Sequence, residues 1–181
     1  MKKKVGVFLA PGFEEIETIT VVDILRRAGI DALLVGTVME PIEGSRGVRV
    51  VPDMSIDQFD QTTCDMIVLP GGMEGTKNLK KNPRVMQALE DAIREKKWIS
   101  AICAAPSLIT HHLAGKRATS HPCISPLMSG TDYQDESVVI DDRFITSRSP
   151  GTAMRFAFAL VRVLAGEERV RAVNEGVMAE L

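Results

Sequence analysis

Short apolar runs alternate with segments of helical spacing along most of this chain, and that alternation leaves few folds open. Lys4 to Leu9 reads as a strand. Glu14 to Arg27 carries Ile16, Ile19, Val22 and Leu25 at helical intervals and stops at Gly29. Asp31 to Val35 is a second strand, Val48 to Val51 a short extended piece, and Asp65 to Leu69 a buried strand ended by Pro70-Gly71-Gly72. Asn82-Pro83 opens a helix to about Lys96, Trp98 to Ile102 is another strand, and a helix is expected from there to about Leu113. Beyond it, Arg117 to Ser120 is extended and His121-Pro122 begins a loop. Val138–Ile140 and Phe144–Thr146 flank Asp141-Asp142-Arg143 as a hairpin. Thr152 caps an apolar helix to Leu164, and Glu167 to Glu175 closes with a short helix. Such βαβ units build a mostly parallel sheet with helices on both faces, an α/β three-layer sandwich of the flavodoxin-like or Rossmann-like kind. With 181 residues and no repeat, linker or low-complexity tract, residues 1–181 are expected to form one domain.

Composition excludes several function classes. Hydrophobic residues make up 45% and charged residues 25%, as in ordinary globular proteins. A net charge of −2 without a basic stripe gives no footprint for nucleic acid, and no apolar run approaches a membrane span. The opening Met1 to Ala10 briefly imitates a signal peptide, but it ends in Pro11-Gly12 and acidic residues and is read as a strand. Three cysteines, at 64, 103 and 123, do not make a disulfide framework and fit a reducing compartment, so a cytoplasmic location is expected.

In sheets of this kind ligands bind beyond the carboxyl ends of the strands. Three loops there are chemically rich: Pro11–Glu17, Pro70–Gly75 and Ile102–Pro106. In Ile99-Ser100-Ala101-Ile102-Cys103-Ala104-Ala105-Pro106 the cysteine falls at a strand-to-helix junction between small residues, the pattern of a nucleophile elbow carrying sulfur. A helix N-terminus beneath it is expected to lower the thiol pKa. Read alone, Cys103 could equally be a small buried hydrophobe.

The other candidates have two readings each. Glu17 shares a helix face with Phe13 and Thr20/Val21, so it is either solvated or a buried acid beside Cys103; in the second case one proton is shared and Glu17 donates it to the thiolate. Gly71-Gly72 is either an oxyanion nest or a plain turn. His121 either orients Cys103 or is structural. Arg46 either reaches Glu14 or Glu15 at a site mouth or is simply exposed. His111 and His112, adjacent near a helix end, are expected to point apart, and no cluster has zinc-ligand spacing. Cys64 and Cys123 lack an elbow.

Taken in order, Gly12-Phe13-Glu14-Glu15-Ile16-Glu17-Thr18, Val22 to Gly29, Val68-Leu69-Pro70-Gly71-Gly72, Ala101 to Pro106, Thr119-Ser120-His121-Pro122 and Ile145 to Thr152 resemble the ThiJ/PfpI superfamily. Within it, the chain is similar to the branch of the parkinsonism-associated deglycase and its bacterial relatives. The resemblance implies Cys103 as reactive thiol, Glu17 as its protonated partner and His121 as a neighbour. It also implies a pocket of backbone N–H groups at Gly72 and Ala104, with Gly71 beside them. It implies a homodimer with the first helix at the interface, where Glu14, Asp23, Arg27 and Arg46 would serve as dimer or site-mouth support, and no metal or cofactor. The implied activity is glutathione-independent detoxification of 2-oxoaldehydes or glycated adducts, with methylglyoxal giving lactate. The alternative is a redox-sensing stress protein or chaperone whose cysteine is oxidised to sulfinic acid. Ala104 stands where the protease-like branch has histidine, and there is no late His-x-Glu of the amidotransferase type. Val51 and Glu43 occupy the region where some relatives carry further cysteines.

Overall fold

The structure, a computed structural model, describes residues 2–181. In chain order it contains β1 (Lys4–Leu9), α1 (Glu15–Arg27), β2 (Asp31–Gly36), β3 (Ile42–Glu43), β4 (Arg49–Val50), β5 (Met54–Ser55), β6 (Met66–Leu69), α2 (Met73–Lys81), α3 (Pro83–Arg94), β7 (Trp98–Ile102), β8 (Arg117–Ala118), β9 (Asp132–Tyr133), β10 (Val138–Asp141), β11 (Phe144–Ser147), α4 (Ala153–Ala165) and α5 (Glu167–Val177). Seven strands form the central sheet in the order β10-β11-β7-β6-β1-β2-β5. Only the β10–β11 hairpin pair is antiparallel; the other pairings are parallel. The fold is the expected α/β three-layer sandwich.

Strand alternation sorts the core into two layers. Val5, Val7 and Leu9 of β1 and Met66 and Val68 of β6 point toward α1, α4 and α5, among Leu25, Phe156 and Leu160. Phe8, Ile67 and Leu69 point the other way, among Leu79, Val85 and Leu89 of α2 and α3. Period two on a sheet covered on both faces produces this division, so every residue of β6 is buried. Asn82 caps α3 as expected, its side chain accepting from the N–H groups of Arg84 and Val85.

Two of the expected elements take another form. The segment after Cys103 is not an α-helix; it forms two 3-10 turns, Ala105–Leu108 and Thr110–Leu113. The Ser107 hydroxyl donates to the Ala104 carbonyl at 2.7 Å, and the Thr110 hydroxyl to the carbonyls of Pro106 and Ser107 at 3.4 Å. These local bonds compete with a regular helix. Thr152 precedes α4 without capping it through its side chain; its hydroxyl is drawn to Ser147 at 2.7 Å and bonds the Ser149 carbonyl at 2.9 Å. Among the described residues no helix is long and apolar enough to cross a membrane.

The order in which strands are added reverses between the parallel strands β1 and β6: β2 and β5 extend the sheet on one side, β7 and the hairpin on the other. A crevice opens at the carboxyl ends of strands at such a switch point. The loops that leave β1, β6 and β7 there are the three singled out from the sequence.

Candidate active site

Cys103 follows β7 directly and sits at φ +65°, a left-handed conformation rare for a residue with a side chain. That costs about 1–2 kcal/mol, and the surroundings hold it. Its N–H donates to the Ser147 carbonyl at 3.0 Å, and its own carbonyl accepts from the His121 N–H at 2.9 Å. The turn is therefore clamped between β11 and the strand end before His121, as a nucleophile elbow requires.

Glu17 lies in the first turns of α1 and is fully buried. Glu14 closes that helix start, its carboxylate accepting from the Glu17 N–H at 2.8 Å. One Glu17 oxygen, Oε2, accepts from the Gly71 N–H at 2.8 Å. The other, Oε1, is buried without a partner of good hydrogen-bond geometry; the polar group beside this carboxyl is the Cys103 thiol. Burial pushes the Glu17 carboxyl up to about 7, the nearby Glu14 charge adds to it, and Cys103 and the Gly71 N–H work against it.

The thiol does not have the lowered pKa expected from a helix end, since no α-helix starts there. Burial, then the charge and hydrogen bonding of the Glu17 carboxylate, push it up to about 12, opposed by the N–H groups of Gly72 and Ala104. Two negative charges do not fit side by side here, but one does. A proton on Glu17 turns the contact that opposes the thiolate into one that supports it.

Gly72 sits at φ +88°, and a side chain on it would press into the Gly12 carbonyl oxygen. The position serves the backbone approach that brings its N–H to the sulfur. The N–H groups of Gly72 and Ala104 both face the Cys103 sulfur. The Gly71 N–H, expected beside them, is instead donated to Glu17.

The thiol opens into a cavity of about 530 Å³ bordered by Glu14, Arg46, Met73, His121, Cys123 and Pro150. His121 reaches Cys103 through its backbone, while its imidazole Nδ1 lies 2.9 Å from the exposed Cys123 sulfur. Arg46 meets Glu15 through its N–H at 2.6 Å and sends its guanidinium to the Ser45 carbonyl at 3.3 Å, so of its two readings the structure shows the exposed arginine, which touches Glu15 through its backbone alone. Glu15, which the sequence offers only as a partner for Arg46, is buried and also accepts from the Ser45 hydroxyl at 3.0 Å, tying the 44–48 turn to α1 at the cavity rim. Asp23 and Arg27 pair with each other at 3.1 Å on the exposed side of α1, away from the cavity. Cys64 is buried, its thiol donating to the Gln61 carbonyl at 3.2 Å. His111 and His112 do not point apart: both rings approach Glu90.

An α/β sandwich with a cysteine elbow, a buried acid and converging N–H groups at a sheet switch point defines a class of cysteine-centred α/β proteins. The chain belongs to the DJ-1/PfpI family, whose family model matches residues 3–163. It is 39% identical to protein dj-1beta of Drosophila melanogaster over 98% of each chain. The crystal structure of that fly protein superposes with a TM-score of 0.96 over the full length of both. It is 41% identical to the Parkinson disease protein 7 homolog of Danio rerio over 92% of each chain. It is also 37% identical to the glutathione-independent glyoxalase DJR-1.2 of Caenorhabditis elegans, over 88% of this chain and 87% of that one.

Proposed function

We propose that this protein converts 2-oxoaldehydes such as methylglyoxal to 2-hydroxy acids, with Cys103 as nucleophile and Glu17 as proton carrier. The Cys103 thiolate adds to the aldehyde carbon, and the oxygen of the resulting hemithioacetal takes the Glu17 proton and lies against the N–H groups of Gly72 and Ala104. Glu17, now a carboxylate, removes the C–H proton to give an enediolate; the hydroxyl proton passes from the first oxygen to the second, and Glu17 returns its proton to the adjacent carbon, leaving a lactoyl thioester. Water hydrolyses the thioester to lactate and frees the thiol. The sum is methylglyoxal plus water giving lactate and a proton, with no net oxidation and no reactant besides groups of this chain and water.

The observation that carries this reading is a fully buried carboxyl, pushed up to about 7, beside a thiol that opens into a cavity. A general acid-base works best with a pKa near the working pH. The glyoxalase name of the nematode relative supports the same chemistry. The cavity has room for more than a three-carbon aldehyde, which agrees with early glycation adducts as further substrates. The test is lactate formation from methylglyoxal by the purified protein: Cys103→Ser abolishes it, and unchanged turnover in that variant removes the reading.

One observation favours a second reading. The same N–H groups and a Glu17 proton would hold the oxygens of a Cys103 sulfinate, so a redox-responsive role fits the site too. Intact mass after peroxide titration tests it: a gain of two oxygens at Cys103, weakened in Glu17→Gln, supports the role, and no gain excludes it. A cytoplasmic homodimer completes the proposal. Ile16 and Ile19, 55% and 42% exposed on α1, support pairing through that helix.

A further inference from the structure

Glu90 projects from α3, and His111 and His112 from the 3-10 turn Thr110–Leu113. Nε2 of His112 lies 3.0 Å from both Glu90 oxygens, and Nε2 of His111 lies 3.3 Å from Oε1. The ring centroids are 3.9 Å apart at an interplanar angle of 45°. Neighbouring residues in a turn normally diverge; here both rings tilt to aim the same nitrogen at one carboxylate. The three ligand atoms all lie within 4.8 Å of one another.

We infer that Glu90, His111 and His112 form a binding site for a first-row divalent transition ion of the zinc class. Zinc holds imidazole nitrogen at about 2.0–2.1 Å and carboxylate oxygen at about 2.0–2.2 Å. Tetrahedral neighbours then stand about 3.3–3.6 Å apart, close to the spacing already present, so small side-chain rotations would complete the set. Two imidazoles and one carboxylate suit zinc, nickel or copper, whereas calcium and magnesium take oxygen donors. His112 is largely covered and His111 open to solvent, so water fills the remaining positions. None of the three residues borders the Cys103 cavity. The ion clips α3 to the segment that follows the elbow, and this inference stands independently of the proposed reaction.

The test is zinc titration by calorimetry of the tag-free, full-length chain carrying Cys103→Ser and Cys123→Ser, which removes the accessible thiols as competing ligands. One zinc per chain is expected. Adding His111→Ala or Glu90→Gln weakens it more than about tenfold, since even groups that only support a metal ligand are worth about 10–100-fold. His111 and Glu90 are exposed enough for both variants to keep the fold, which circular dichroism verifies. Zinc also raises the melting temperature of the double variant and raises those of the further variants by less. Absence of saturable binding, or equal affinity in the His111 and Glu90 variants, overturns the site and shows the trio to be a hydrogen-bonded contact only.

Discussion

Glu17 and Cys103 meet across the bare Cα of Gly71: a methyl group there would lie 2.5 Å from Glu17 Oε2 and 2.6 Å from the Cys103 Cβ. Proximity of the acid and the sulfur is therefore set by a missing side chain, and the N–H of the same residue fixes the acid from behind. One small residue on the β6 loop serves both partners of the pair.

Gly71→Ala must push the acid, the thiol or the loop aside. Overpacking of this sort costs about 1–3 kcal/mol, and misplacing a catalytic group by about 1 Å costs about 100-fold in rate. Methylglyoxal turnover is expected to fall by about that factor while the far-ultraviolet circular dichroism stays native. Turnover within threefold of the parent would show that the pair does not depend on this contact.

Glu17→Gln separates the chemical and energetic roles of the acid. It keeps an acceptor for the Gly71 N–H and removes the proton carrier, so turnover is expected to drop by about 10²–10⁴. Stability should move the opposite way. The folded carboxyl titrates at about 7 against an ordinary 4.5, so the folded state holds its proton where the unfolded chain has lost it. A raised acid pKa leaves stability unaffected below about pH 4.5 and lowers it as pH rises toward and past 7. Glutamine carries no such penalty, so at pH 8 the variant should be the more stable protein, by roughly 3 kcal/mol at most on the linkage relation. The gap should close by pH 4.5. Urea denaturation across that range measures it; a pH-independent difference would mean that Glu17 titrates normally.

The strands could be read from the chain because a doubly covered sheet needs continuous apolar runs, and β1, β6 and β7 have them. Helical spacing puts Glu17 on one face with Phe13 and Thr20/Val21 but leaves it either solvated or buried; the fold buries it. Helix α2 was not foreseen: Met73-Glu74-Gly75-Thr76-Lys77-Asn78 looks like a polar loop with a breaker, and its N-cap Gly72 offers no capping side chain. Gly75 is tolerated because a side chain there would lie 2.8 Å from the backbone of Phe13, so the glycine lets α2 sit against the β1 loop. The raised thiol pKa and the use of the Gly71 N–H depend on which groups share a buried space, and no local pattern carries that. The convergence of His111 and His112 has the same origin, since Glu90 arrives from another element.

His121 should matter less than Glu17. Its imidazole is engaged with Cys123, and its N–H, which any residue retains, holds the Cys103 carbonyl. His121→Asn is expected to lower turnover by less than about tenfold, within the lower end of general acid-base contributions. A loss as large as that of Glu17→Gln would make the ring a proton carrier in its own right.

Glu15 shapes the cavity rim rather than the chemistry. Burial works to raise its pKa, but donors from the Arg46 N–H, its own N–H, the Ser45 hydroxyl and the Val48 N–H outweigh that and hold the carboxyl below its ordinary 4.5. A lowered acid pKa contributes stability that is fully present above pH 4.5 and is lost as pH falls through the folded value. Glu15→Ala leaves those donors without a partner, at a cost of about 1–3 kcal/mol at neutral pH. The deficit relative to the parent should shrink on acidification as the parent's carboxylate is protonated. The Ser45–Arg46 turn also borders the cavity, so KM for methylglyoxal should rise several-fold with kcat nearly unchanged. Urea denaturation at pH 7 and pH 4, with steady-state kinetics on the same preparation, checks both. A fall in kcat with KM unchanged would place Glu15 in the reacting machinery instead of at its entrance.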